Sequence, residues 1–117
     1  MTTTKDVGVK AVEVDRIIQV IRKGANGTGV LYYKPPKGKD QLCIIGGLLH
    51  VAGVSFEDLG VSDPRSIPDA VHILIADYGL NLDRIVELMR LNDLYKTIAN
   101  RRKKLIELVE SWRGKDE

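Results

Sequence analysis

The sequence predicts a mainly α (α+β) protein: a small helical domain of about five helices with one β-hairpin near residues 29–45. Apolar residues recur every three or four positions along most of the chain, which is the spacing of one helix face. Only one segment, GVLYYKPP, gives a clear strand signal. The length of 117 residues, with 44% hydrophobic and 29% charged residues, is typical of one soluble domain. We therefore expect residues 1–117 to form a single domain, with residues 1–7 and 113–117 frayed.

The first helix is predicted over residues 9–23, where the apolar positions share one face. Basic residues occupy its last turn and suit the negative end of the helix dipole. Gly24 is placed to end the helix in the left-handed conformation that glycine adopts readily. The next stretch, GANGTGV, has the glycines of a phosphate-binding loop, but it lies after a helix and before a strand, the reverse of the order such loops need. We interpret it as a flexible turn.

A β-hairpin is predicted next. Residues 30–34 read as a strand, and the proline pair after them ends it because proline cannot donate to a strand ladder. Residues 41–45 allow two interpretations: a returning strand, or the start of a helix that runs to Ala52. The glycine pair argues for a boundary or close backbone packing, since an interior glycine costs a helix about 1 kcal/mol relative to alanine. We favour a short returning strand followed by a helix from Cys43 or Ile44.

Short polar signals divide the second half of the chain into helices. The sequence SFED at residues 55–58 has the form of a capping box. Gly79 is placed to end one helix and Asn81 to begin the next. Asn92 and Asp93 indicate another break, because both residue types favour caps over helix interiors. The predicted helical segments are residues 55–60, 68–78, 82–91 and 94–112.

Cys43 is the only cysteine and the one weak candidate for a catalytic nucleophile. His50 lies seven residues away, about 10 Å along a helix, whereas a nucleophile and its base need about 3 Å. His72 could reach Cys43 only through the fold. Apolar neighbours on both sides favour an inert, buried cysteine. A single cysteine excludes an internal disulfide, and with two scattered histidines it gives no zinc spacing, so we expect no metal site and no cofactor.

Charges are segregated along the chain. Residues 1–39 carry eight basic and three acidic residues, residues 40–93 carry three and nine, and residues 94–117 carry seven and four. Two interpretations stay open: separate solvated helix faces, or a basic patch for nucleic acid or an acidic partner where the two ends meet. The candidate phosphate contacts are Lys34, Lys37, Lys39, Lys96, Arg101, Arg102, Lys103 and Lys104.

The last predicted helix carries a long apolar stripe. If few other helices cover it, the stripe would form a larger apolar patch than monomers usually expose, and a symmetric homodimer would bury it. The alternative is that the stripe packs entirely within one chain. The candidate interface residues are Leu94, Ile98, Leu105, Val109 and Trp112.

Several short motifs occur together in the later part of the chain. CIIGGL at residues 43–48 forms a Cys-x-x-Gly-small-Leu turn, with Ala-Gly at residues 52–53, and YGL at residues 78–80 precedes LND at residues 91–93. In these motifs the chain resembles a group of small bacterial and phage proteins for which no activity is known. The resemblance covers residues 41–110 loosely. It implies a bacterial or phage context and implies no mechanism.

These observations lead us to expect a non-enzymatic binding or interaction protein, with an accessory or regulatory role in a bacterium or phage. The first alternative is a nucleic-acid-binding protein that uses its basic N- and C-terminal segments, and the second is a cysteine-dependent enzyme. No apolar run approaches the ~20 residues that cross a bilayer, and the first residues lack the apolar core of a secretory signal. We expect a cytoplasmic protein whose partner is another protein or a second copy of itself, with nucleic acid as the alternative partner and no membrane contact.

Overall fold

The computed structural model describes residues 8–27, 31–38, 40–60 and 69–114. Within these residues it has five α-helices, one 3-10 turn and a two-stranded antiparallel hairpin, which confirms the mainly α fold class with one small hairpin. In chain order the elements are α1 (Ala11–Lys23), β1 (Tyr32–Tyr33), β2 (Gln41–Leu42), α2 (Ile44–Val51), the 3-10 turn (Asp58–Gly60), α3 (Ala70–Tyr78), α4 (Leu82–Leu94) and α5 (Ile98–Glu110).

The turn that follows α1 is held by hydrogen bonds to the hairpin. Ala25, and not Gly24, adopts the left-handed conformation after the helix, with a φ of 57°. The Asn26 side chain donates to the Asp40 carbonyl at 2.9 Å and accepts from a backbone N–H of β2 at 2.9 Å. These bonds tie the turn to the hairpin, so our prediction of a flexible turn is wrong for this part of the loop. The remainder of the loop, residues 28–30, lies outside the described residues.

The hairpin is short, with β1 and β2 paired over two residues each. The pairing extends by one hydrogen bond, from the Cys43 N–H to the Leu31 carbonyl at 3.2 Å. Helix α2 then begins at Ile44, so the segment is a returning strand followed directly by a helix, as we favoured from the sequence. The first strand is shorter than predicted, and the proline pair that follows it has no N–H to extend the ladder.

Gly46 allows α2 to lie close against the hairpin. A Cβ atom at this position would overlap the carbonyl oxygen of Leu31 and come within 2.9 Å of its carbonyl carbon. Any side chain here would push the helix away from the backbone of residue 31. Close backbone packing is therefore the reason for glycine at this position.

The second half of the chain follows the predicted caps except at one place. Gly79 ends α3 in the left-handed conformation, with a φ of 65°, and Asn81 Oδ1 accepts from the N–H three residues on at 2.9 Å to begin α4. Helix α4 continues to Leu94, so the predicted break at residues 92–93 is wrong. The chain breaks slightly later, and α5 begins at Ile98.

Helix α2 lies at the centre of the fold, in contact with α1, α3 and α4, while α5 packs on α1 and α4. None of the helices in the described part of the chain has the length and apolarity needed to span a bilayer. The largest fully buried side chains are Tyr78, Ile17, Ile21, Leu31, Ile44, Ile45, Leu48, Leu49, Leu59, Leu74, Leu88 and Leu105.

The two described ends of the chain pair with each other. The Val9 N–H donates to the Trp112 carbonyl at 2.7 Å, and the Gly114 N–H donates to the Val9 carbonyl at 2.8 Å. Arg113 is further held by ion pairs with Asp15 and Glu110, both at 2.9 Å. The prediction of fraying is therefore wrong for residues 113 and 114. The other residues predicted to fray, 1–7 and 115–117, lie outside the described residues.

Candidate binding groove

Cys43 is buried at the N-terminus of α2, where it acts as a cap. Its Sγ accepts from the Gly46 N–H at 3.3 Å, which satisfies one of the N–H groups that a helix start leaves without a partner. Burial raises the pKa of the Cys43 thiol to about 11. The thiol is therefore protonated near neutral pH, and a protonated thiol is a poor nucleophile. His72, the partner considered from the sequence, is exposed on α3.

Asn92 closes the same end of α2. Its Oδ1 accepts from the Ile44 N–H at 3.0 Å, and its Nδ2 donates to the Gly27 carbonyl at 2.9 Å. These two bonds keep Asn92 inside α4, because they satisfy a buried side chain that would otherwise favour a cap. Within the described residues, every buried side-chain nitrogen and oxygen has a hydrogen-bond partner.

Arg101 is the centre of this buried polar network. It is only 3% exposed, and its guanidinium donates to the carbonyls of Ala25 at 2.7 Å and Tyr95 at 3.0 Å. It also donates to the carbonyls of Asn92 at 3.0 Å and Lys96 at 3.2 Å. Burial lowers the pKa of Arg101, but an arginine side chain stays charged at neutral pH. The prediction that Arg101 contacts phosphate is wrong, because its charge serves the free carbonyls at the ends of α1 and α4.

The other basic candidates differ in how far they are engaged. Arg102 is half-buried and donates through Nε to the Gly24 carbonyl at 2.8 Å. Lys104 is half-buried and pairs with Glu107 at 3.5 Å. Lys39 lies outside the described residues. The candidates that are exposed to solvent are Lys34, Lys37, Lys96 and Lys103.

The apolar stripe of α5 is mostly used within the chain. Leu105 and Val109 are fully buried, and Trp112 is 8% exposed, because α5 packs on α1 and α4. The interface prediction is therefore wrong for these three residues. Leu94 and Ile98 are 66% and 42% exposed beside the turn between α4 and α5. Self-association through this smaller pair stays a prediction.

A groove with a volume of about 320 Å³ lies between α1 and α2. Its α1 wall is formed by Arg16, Gln19, Val20 and Lys23. Its α2 wall is formed by Gly47, His50 and Val51. The α1 residues are spaced by three, four and seven positions and the α2 residues by three and four, so each set shares one face of its helix.

Gly47 and Val20 line the groove at a point where α1 and α2 lie in close contact. Gly47 is buried, and a Cβ atom added there would lie 3.1 Å from Val20 Cγ1, which is closer than ordinary van der Waals contact. A longer side chain would extend into the space between the helices. Val51, one turn further along α2, is 64% exposed although it is apolar. The groove thus combines an apolar wall with a concave shape, which is the usual character of a binding site.

At the end of the groove near α3, the aromatic and charged side chains are bonded within the chain. The Tyr78 ring is fully buried and its hydroxyl donates to the Leu48 carbonyl at 2.7 Å. The Arg16 guanidinium lies over this ring, 4.9 Å from its centre. Arg16 also pairs with Glu13 at 3.0 Å and donates to the Asp77 carbonyl at 2.6 Å. Its charge is therefore partly compensated within the chain.

The opposite end of the groove is basic. Lys23 is exposed there, and within the part of the chain that the structure describes it makes no ion pair. His50 shares the α2 wall, where its ring stacks on Phe56 with 4.0 Å between the ring centres. Its Nδ1 lies 3.0 Å from the Val54 carbonyl, and since a carbonyl only accepts, Nδ1 carries the hydrogen. In the neutral ring Nε2 is then an acceptor held in one orientation.

Sequence analysis missed this groove. Gly47 and Val51 are four residues apart, which places them on one helix face, but that signal does not show which element lies opposite. We read the glycine pair as one feature, whereas Gly46 contacts the hairpin and Gly47 faces α1.

Among the described residues, no group of three or more His, Cys, Asp or Glu side chains is arranged to hold a metal ion. No family model, curated protein or solved structure matches the chain.

Proposed function

We propose that the protein is a non-enzymatic binding protein that holds a segment of a partner protein in the groove between α1 and α2. The observation that carries this proposal is the coincidence of a concave space, an exposed apolar side chain at Val51 and a buried, hydrogen-bonded Tyr78 that lines the space. Peptide-recognition grooves between helices have this character. In keeping with the sequence resemblance, we propose an accessory or regulatory role in the cytoplasm of a bacterium or of a phage-infected cell.

The size of the groove favours a side chain of a partner over a large cofactor. A volume of about 320 Å³ lies at the lower end of the range of about 300–1,000 Å³ for ligand pockets. Since water occupies about 30 Å³ per molecule in the liquid, the space corresponds to roughly ten waters. One or two large apolar side chains fill such a space, and anchors of this kind dominate the affinity of many protein interfaces.

A selection from random displayed peptides tests the proposal. Peptides about twelve residues long are selected on the wild-type protein, and the enriched peptides are titrated by calorimetry. We expect binding that Gly47→Leu abolishes, because the leucine side chain would fill the groove. Val51→Ser provides a second test, since it removes an exposed apolar contact without inserting bulk.

Val12→Ser is the matched control for Val51→Ser. Val12 is 61% exposed on α1, close to the 64% of Val51, and it does not line the groove. The two substitutions therefore change the same residue type at similar exposure. We expect Val12→Ser to leave peptide affinity unchanged. Enriched peptides that bind both groove variants as tightly as wild type would contradict the proposal.

Nucleic-acid binding is a second candidate, supported by one contact region. Arg101 and Arg102 both bond to the turn that follows α1, so the basic C-terminal run adjoins the basic N-terminal third. Lys96 and Lys103 remain exposed near this contact. We expect only weak binding to labelled DNA or RNA at low salt, lost by about 150 mM, because few phosphate contacts are available. A tight complex at that ionic strength, measured by fluorescence anisotropy, would rank this function above the groove.

A further inference from the structure

We infer that the segment held in the groove is acidic: it inserts one large apolar side chain between α1 and α2 and places a carboxylate beside Lys23. This inference rests on the proposed function and specifies the chemistry of the partner. It follows from the distribution of charge along the groove, which differs between the two ends.

The apolar anchor is assigned to the middle of the groove. Val20 and Gly47 are buried and in contact with each other where they line the groove, and the exposed Val51 adds apolar surface one turn further along α2. A large side chain from outside would pack against Val20, Gly47 and Val51 in the space that the groove provides. A Leu, Phe or Trp side chain that enters there removes its own surface and that of Val51 from water, at roughly 25 cal/mol per Å² buried.

The carboxylate is assigned to the Lys23 end. Arg16 and Lys23 are seven residues apart on α1, so they lie on one face and about 10 Å apart along its axis. Glu13 pairs with Arg16 at 3.0 Å, whereas Lys23 makes no ion pair among the described residues. A carboxylate therefore meets an uncompensated cation only at Lys23. Opposite charge beside an apolar anchor gives an interface its orientation and its partner selectivity.

His50 is a second polar group on the wall of the groove. Its Nδ1 hydrogen is committed to the Val54 carbonyl, and stacking on Phe56 fixes the ring plane. In the neutral ring Nε2 carries a lone pair, and we assign it to accept a hydrogen bond from a backbone N–H of the bound segment. An extended or helical segment that crosses the groove presents such groups at regular intervals.

The experiment uses the peptides selected on the wild-type protein. We expect the enriched sequences to place Asp or Glu within a few residues of Leu, Phe or Trp. Replacing the acid by its amide in a synthetic peptide should weaken binding by about tenfold and should remove most of its salt dependence. Lys23→Glu should weaken binding of the acidic peptide by at least about tenfold.

Arg22→Glu is the matched control for Lys23→Glu. Arg22 is exposed in the same turn of α1, but it does not line the groove. Both variants replace a positive charge by a negative one, so they have the same net charge. At about 150 mM salt, where long-range charge interactions are screened, we expect Arg22→Glu to change peptide affinity by less than about twofold. A peptide in which the acid is replaced by Lys should regain affinity for Lys23→Glu, which a general loss of structure would not produce.

Each outcome separates the two proposals. Peptides that depend on Gly47 and Val51 but are insensitive to Lys23→Glu, or that lack acidic residues, would overturn the inference and leave the binding function intact. Peptides that ignore Gly47→Leu and Val51→Ser would overturn both. Concentration-dependent self-association that Val51→Ser abolishes, seen by sedimentation, would overturn the acidic peptide in favour of a second copy of the chain.

Discussion

The two sides of α2 use the same apolar sequence in opposite ways. On the hairpin side, Gly46 contacts the backbone of Leu31, and the neighbouring polar groups are satisfied within the chain. On the α1 side, Gly47 borders an unfilled groove, and Val51 remains exposed to solvent. Gly46 thus packs against the hairpin backbone, whereas Gly47 packs against Val20 beside a groove that stays open next to Val51. We call these the closed side and the open side of α2. The comparison teaches that a glycine pair cannot be assigned one role before the elements on both sides are known.

The largest effect is expected at Arg101, whose buried network continues through Asn92 to the closed side of α2. Arg101→Met removes donors to four carbonyls and leaves several of them buried without a partner. We expect the free energy of unfolding to fall by about 4 kcal/mol, measured by urea denaturation.

Lys103→Met is the control for Arg101→Met, because Lys103 is exposed in the same basic run. Its effect should stay within about 0.5 kcal/mol. Equal effects of the two substitutions would mean that the buried network does not hold this end of the fold.

The next effect separates the two glycines directly. Gly46→Ala forces its Cβ against the Leu31 carbonyl, and we expect a loss of about 3 kcal/mol in the free energy of unfolding. Gly47→Ala meets only Val20 at 3.1 Å and gains helix propensity, so its net effect should lie within about 1 kcal/mol of zero. Thermal and urea unfolding of both variants check the prediction. A larger loss of unfolding free energy for Gly47→Ala than for Gly46→Ala would contradict the roles assigned to the two glycines.

Cys43 is expected to make the free energy of unfolding depend on pH in the alkaline range. Burial raises the pKa of its thiol from 9.0 to about 11, so the unfolded chain loses this proton at a lower pH than the folded protein does. The stability that depends on the protonated thiol is therefore present below about pH 9 and falls as the pH rises towards 11. We expect wild type to exceed Cys43→Ala by about 1 kcal/mol at pH 7.

This advantage should reverse near pH 11, because a shift of two pKa units corresponds to about 3 kcal/mol. Urea denaturation of both proteins across this pH range measures the difference. A difference that does not change with pH would show that the thiol is not desolvated.

The smallest effect on stability is expected on the open side. Val51→Ser and Val12→Ser both change exposed valines, so each should alter the free energy of unfolding by less than about 0.5 kcal/mol. Only Val51→Ser should affect peptide binding. A large loss of stability from Val51→Ser alone would mean that Val51 belongs to the core and that the groove is not a free surface.

Features that depend on neighbours in sequence were predictable. Gly79 and Asn81 end and begin helices through bonds to residues three or four positions away, and the sequence alone identifies both. The helical periodicity and the single hairpin were recognisable for the same reason. Asn92 misled the prediction because its partners, the Ile44 N–H and the Gly27 carbonyl, are distant in sequence.

Features that depend on tertiary contacts were not predictable. Arg101 and Lys103 look alike in the basic run, yet only Arg101 faces the carbonyls at the ends of two helices. Trp112 belongs to a stripe that could equally have been an interface, and it is covered because α5 packs within the chain. The groove requires the position of α1 relative to α2, which no local pattern contains.

The central claim is that the open side of α2 binds a partner while the closed side holds the fold. A titration of the wild-type protein with a selected peptide, followed by methyl NMR, tests it most directly. The account predicts chemical-shift changes at the methyl groups of Val20 and Val51, with the buried methyl groups of Val14 and Val109 unaffected. Shifts confined to Leu94 and Ile98, with Val20 and Val51 unchanged, would contradict it.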